Sequence, residues 1–143
     1  MPPDINIALT LGALLSALAA AAHIGIIIGG AAWYRFFGAG EQFAVASEQG
    51  KIYPAVVTFG IATVLAAWAA YALSGAGWMP VLPFLKVALC VITAVYLLRG
   101  VGGFAMLAAK SPYSKRFIVV SSSICLGFGL VHLQGVLQVW GRF

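Results

Sequence analysis

Charged residues are sparse along this chain, and the intervals between them are long and apolar. Uncharged runs cover Ile5 to Tyr34, Ile52 to Leu85 and Phe117 to Gly141, while Lys86, Arg99 and Lys110 divide the remaining stretch. A bilayer-crossing helix needs about 20 residues at a rise of about 1.5 Å each, so the second run must hold the end of one helix and the start of another. Turn residues show where the division falls. Pro54 suits a helix first turn, Ser74-Gly75-Ala76-Gly77 reads as a stop, and Pro80 and Pro83 precede a restart. The pattern predicts an all-α chain of four transmembrane helices, at about residues 5–33, 54–74, 83–109 and 117–140, packed as one antiparallel bundle. A single domain over residues 1–143 is expected, since four spans leave only short connections. No cleavable leader is expected, because no Lys or Arg precedes the first apolar run and that run exceeds a signal's length.

Composition agrees with the pattern and excludes a soluble globular domain. Of 143 residues, 63% are hydrophobic and 8% charged, against roughly a quarter charged in soluble domains. The net charge of +5 does not point to nucleic acid, because the basic residues flank apolar segments and never cluster densely enough to track a phosphate backbone. They speak instead to topology. Arg35, Lys51, Lys110, Lys115 and Arg116 lie in the first and third loops, while Lys86 and Arg142 lie on the other side. The positive-inside rule then makes loops 34–53 and 110–116 cytoplasmic and both termini periplasmic. Trp33, Tyr34, Tyr53 and Tyr113 fall near the inner interface, with Tyr71, Trp78 and Trp140 near the outer one.

Helices in lipid associate through small residues and interhelical hydrogen bonds. The first span offers Gly12, Ser16, Ala19, His23 and Gly30 on one face, and the fourth offers Ser122, Cys125, Gly129, His132 and Gly135. Thr58, Ala62, Ala66 and Ala69 mark the second, and Thr93, Tyr96, Arg99 and Gly103 the third. Gln134 and Gln138 lie elsewhere on the fourth span, which suits contact with another chain, either a second copy or a larger membrane complex. In the first loop, Glu41 to Gln49 can form a short surface helix with Glu41 and Glu48 on one face. Cys90 and Cys125 fall at different depths, so free thiols are expected.

Polar residues inside the spans carry the candidate chemistry. Arg99 lies sixteen residues past Pro83 and eleven before Lys110, or roughly 24 and 16 Å from the ends of its span. One reading lets it snorkel to the headgroups from a helix that ends near Gly102-Gly103. The other buries it, and no span contains a carboxylate. Its partner would then be backbone carbonyls, Glu41 folded inward, a lipid phosphate or an anionic ligand, with Tyr96 one turn earlier as a second donor.

His23 lies twelve residues before Arg35 and His132 sixteen after Arg116, which puts both near mid-membrane at roughly 18 and 24 Å from the cytoplasmic ends. Three roles are open to them: hydrogen bonding across helices, axial ligation of haem b with Arg99 on a propionate, or lining a polar cavity with Tyr96 and Arg99 for a proton-coupled or ligand-binding function. Two histidines without carboxylates or paired cysteines do not complete a zinc site. Gly100 to Gly103 follows no strand and is no phosphate loop, and Ser121-Ser122-Ser123 suits bonds to the preceding helical turn. A lipid-modifying enzyme using Arg99 and Tyr96 is a further alternative.

The strings Gly38-Ala39-Gly40-Glu41, Tyr53-Pro54, Leu73-Ser74-Gly75-Ala76-Gly77, Tyr96-Leu97-Leu98-Arg99-Gly100 and Ser122-Ser123-Ile124-Cys125-Leu126, followed by His132, together resemble a family of small, uncharacterised bacterial four-helix membrane proteins. The chain is also similar to DoxX-like proteins in size and span count, without their motifs. The resemblance implies a bacterial inner-membrane location and adds no activity. The functional expectation is a non-catalytic accessory, binding or assembly protein without a cofactor, holding a polar intramembrane cavity around Arg99, with candidate ligand contacts at Arg99, Tyr96, His23, His132 and Glu41. The alternatives are a haem b redox protein on His23 and His132, and a small-solute or lipid transporter.

Overall fold

The computed structural model describes residues 5–109, 111 and 113–142. Among them the chain is all-helical, with five α-helices in the order α1 (Ile7–Phe36), α2 (Glu41–Glu48), α3 (Tyr53–Ala76), α4 (Leu85–Ala105) and α5 (Lys115–Val139). Short 3-10 turns follow α4 and α5. α1, α3, α5 and α4 with its 3-10 extension are each long and apolar enough to cross a membrane. The four spans lie within four residues of their predicted bounds, because the caps act where the residue types suggest. Asn6 accepts from Leu9 N at 2.8 Å, Ser114 accepts from Phe117 N at 3.1 Å, and Pro54 sits in the first turn of α3. Gly77 takes a left-handed φ of 92° to end α3. α4 starts later than Pro83 suggests, since Phe84 is itself left-handed at φ 55°.

The four long helices form two close pairs, α1 with α3 and α4 with α5. Small residues make both contacts. Ala13 and Ala20 of α1 and Ala62, Ala69 and Ala72 of α3 are buried. In the other pair a Cβ on Gly100 would lie 2.8 Å from the backbone nitrogen of Leu126, and one on Gly129 would lie 3.0 Å from that of Leu97. Backbones this close gain dispersion contacts that lipid cannot supply.

The two pairs converge at one end, where both described chain ends and the α3–α4 turn meet. Leu9, Ala76, Leu85, Leu89, Val136 and Val139 form a buried cluster there, and a Cβ on Gly135 would lie 2.5 Å from the Leu9 side chain. Hydrogen bonds close this terminus end further. Asn6 N donates to Ala76 O at 3.0 Å, Asn6 Nδ2 to Gln138 Oε1 at 2.9 Å, and Trp78 Nε1 to Thr10 Oγ1 at 2.9 Å.

At mid-bundle the residues become large. Tyr96 stands among Trp68, Phe128 and His132, with ring centroids 4.9, 5.5 and 5.2 Å away, and its hydroxyl bonds Ser16 Oγ at 2.9 Å. These rings bridge the pairs and hold them apart. Beyond them, toward the loop end, the buried cluster of Ile26, Tyr34 and Ala44 draws on α1 and α2 alone.

A break in α1 shapes the loop end. Gly30 has φ 62° and ψ −147°, a conformation close to glycine-only. The chain after it turns so that the Trp33 indole lies on Gly25 and Gly29, where a Cβ would be 3.1 and 2.1 Å from the ring. α2 is then fastened to α1 by Arg35, whose Nε and Nη2 donate to Glu41 at 3.0 and 2.6 Å and whose Nη1 donates to Glu48. Those bonds hold both carboxyls below their usual pKa range. Both carboxylates and the guanidinium are substantially exposed, so the clamp fixes geometry more than stability.

Candidate functional site

Between the parted pairs lies a cleft of about 1310 Å³, lined by all four long helices. Its floor is the ring cluster of Trp68, Tyr96 and Phe128, and Phe37, Phe43, Tyr113 and Phe117 line it at the loop end. The α1–α2 turn closes over that end, since a Cβ on Gly38 would lie 2.7 Å from Phe117. The flanks carry Leu18, Val57, Ile61, Val64, Val95, Leu98 and Val120, which are also exposed on the outer surface of the bundle. An apolar cleft whose walls continue onto an apolar outer surface opens sideways rather than toward water.

Arg99 belongs to this cleft. The helix does not end at Gly102-Gly103 but runs on to Ala105, so Arg99 is neither at a helix end nor buried in the core. The residue is exposed, and its side chain runs along its own helix toward the loop end, with Nη1 2.7 Å from where a Cβ of Gly103 would sit. A glycine there is what lets the guanidinium lie flat on the helix. Among the described residues its one hydrogen bond is a long one, 3.4 Å from Nη2 to Ser121 Oγ. Glu41, considered above as a partner folded inward, is instead held by Arg35, as is Glu48. Among the described residues, Arg99 therefore meets no carboxylate.

The two histidines part company. His132 is fully buried, with Nδ1 on Phe128 O at 2.8 Å and Nε2 without a partner among the described residues. Its ring faces Gly12, where a Cβ would lie 2.8 Å away. His23 is eleven residues farther along α1 than Gly12, or roughly 16 Å, and it lines the cleft. The equal depth expected from distances to Arg35 and Arg116 fails because α1 breaks at Gly30, so those distances do not run along one straight helix. The imidazoles do not form the facing pair that one haem iron needs. No group of three or more His, Cys, Asp or Glu suited to a metal ion occurs among the described residues.

Tyr96 sits in the floor and spends its hydroxyl on Ser16. Cys125 is half-buried on the cleft wall, while Cys90 is half-buried beside the terminus-end cluster, and both are free thiols. Of the two glutamines, Gln138 is engaged by Asn6 and Gln134 is exposed beside it. Arg99 does line a cavity, but apolar side chains dominate it where a polar one was expected, and its polar groups are distributed from floor to loop end.

No motif marked the cleft in advance, because its walls are ordinary Val, Leu and Ile. The nearest signal was the set of bulky rings at Trp68, Tyr96 and Phe128, at a depth where the other faces carry Gly, Ala and Ser. Comparison with known proteins finds no matching family model, no matching curated protein and no matching solved structure.

Proposed function

We propose that this chain is a non-catalytic, multi-pass protein of the bacterial inner membrane that binds an anionic amphiphile, with the apolar tail in the cleft and the charged head on Arg99. The observation that carries this reading is a guanidinium with no carboxylate partner among the described residues, on the wall of an apolar, laterally open cleft. A cation in lipid surroundings is costly unless neutralised, and an anion supplied by the ligand meets that need. The volume supports a lipid-sized occupant, since it exceeds the roughly 300–1,000 Å³ of ordinary small-molecule sites. The basic residues Arg35, Lys51, Lys115 and Arg116 favour a cytoplasmic loop end and periplasmic termini. Haem b between His23 and His132 gains no support from their offset.

The test is lipid analysis of protein extracted in mild detergent. Wild type is expected to retain an anionic lipid at near-stoichiometric level, and Arg99→Gln to retain about tenfold less, as the loss of a charged hydrogen bond implies, with helical content unchanged. Equal retention by the two proteins would sink the proposal.

A further inference from the structure

The cleft has a second polar group at the level of Arg99, and its chemistry narrows the head that fits. The Ser16–Tyr96 hydrogen bond sets α1 and α4 in register. Seven residues farther toward the loop end, roughly 10 Å on each helix, stand His23 on α1 and Gly103 on α4. The Arg99 guanidinium lies over Gly103. His23 and the guanidinium thus line the same cleft at the same depth from opposite helix pairs, with Ser121 beside the arginine.

The state of the His23 ring follows from its bond. Nδ1 lies 2.7 Å from Ala19 O, and a carbonyl oxygen only accepts, so Nδ1 carries the hydrogen. In the neutral ring Nε2 then bears a lone pair and no proton, and it accepts a hydrogen bond. With that ring neutral, one wall of the cleft donates to an anion while the opposite wall accepts from a donor. Resting on the amphiphile reading, we infer that the head bound here is an anion that also carries a hydroxyl, with its anionic oxygen on Arg99 and its O–H on His23 Nε2. That chemistry has two sources, the P–OH of a phosphate monoester and the alcohol of a hydroxylated phosphodiester. His23 is the specificity-determining residue.

The experiment uses the full chain in phosphatidylcholine nanodiscs doped in turn with phosphatidic acid, phosphatidylglycerol or phosphatidylmethanol, with bound lipid read by native mass spectrometry. Phosphatidylmethanol is an anionic diester without a hydroxyl. Wild type is expected to prefer one or both hydroxylated lipids over it by about fivefold, the size of one neutral hydrogen bond. Preference for phosphatidic acid alone assigns the monoester, and preference for phosphatidylglycerol alone assigns the alcohol. His23→Leu is expected to lower retention of the hydroxylated lipids about fivefold, to the level of phosphatidylmethanol, and His23→Gln, whose amide oxygen accepts, to restore part of it. Equal retention of all three lipids by wild type, or a preference unchanged in His23→Leu, overturns the inference and leaves anionic-lipid binding standing. Retention of none overturns both.

Discussion

The two ends of this bundle are built from different side chains, and their packing differs accordingly. At the terminus end, Gly12, Gly75 and Gly135 let Leu9, Leu89 and His132 fill the space between helices, and the pairs close into a core. Past Tyr96 the inner faces offer Val, Leu and Ile, the pairs diverge, and a cleft replaces the core. Hydropathy hardly distinguishes the halves, since apolar residues supply both. Residue size at the crossing of the helices sets the difference: small residues admit a neighbouring backbone, and the Trp68–Tyr96–Phe128 cluster keeps it out.

The comparison breaks most easily at Leu89. Leu89→Ala, at the closed end, is expected to cost about 2–5 kcal/mol of stability in a denaturant titration followed by circular dichroism. Leu98→Ala, on the cleft wall, is expected to cost about 0.5 kcal/mol or less. Equal losses would mean that the cleft is as well packed as the core. Next is the break in α1: Gly30→Ala forces a side chain into a glycine-only conformation and is expected to cost about 1–3 kcal/mol. Its loosening should show as faster hydrogen exchange in residues 31–48, at the loop end alone. Tyr96→Phe removes the bond to Ser16 and is expected to cost about 1 kcal/mol, read as a lower thermal midpoint. Smallest is the clamp at Arg35. Glu41 and Glu48 are held below the ordinary value of 4.5, so the clamp contributes fully above that pH and is lost as pH falls through the lowered folded values. Acidification should therefore lower the exchange protection of α2, taken relative to the intrinsic rate at each pH, before it lowers that of Leu9 or Leu89, and simultaneous change would separate the opening from Arg35.

Much of the fold was legible in the sequence because the physics behind it is local. Spans follow from runs of apolar residues between charges, and the ends of the second from Pro54 and Gly77, while the caps at Asn6 and Ser114 were not read in advance. The small-residue faces read correctly at Gly12, Ser16, Ala62, Ala69, Gly129, His132 and Gly135, all buried. Ala66 on the second span is exposed. Gly30 was read as part of a packing face, although adjacent glycines, here Gly29 and Gly30, are also where helices break. That ambiguity propagated into the depth of His23. The site was less legible, because the separation of two helix pairs is a property of contacts between spans. Whether Arg99 meets Glu41 or an open cleft depends on Arg35, which reaches both acids first.

The Ser16–Tyr96 bond and the rings around it have a consequence for traffic. They seal the cleft halfway along the bundle, so its interior communicates with one leaflet and ends blind before the other. An occupant drawn from the loop-side leaflet can return only to that leaflet unless Tyr96 swings away from Ser16. On the proposed amphiphile reading the molecule is held on one face of the membrane, and a flippase built on this frame would first have to unlock that single hydroxyl.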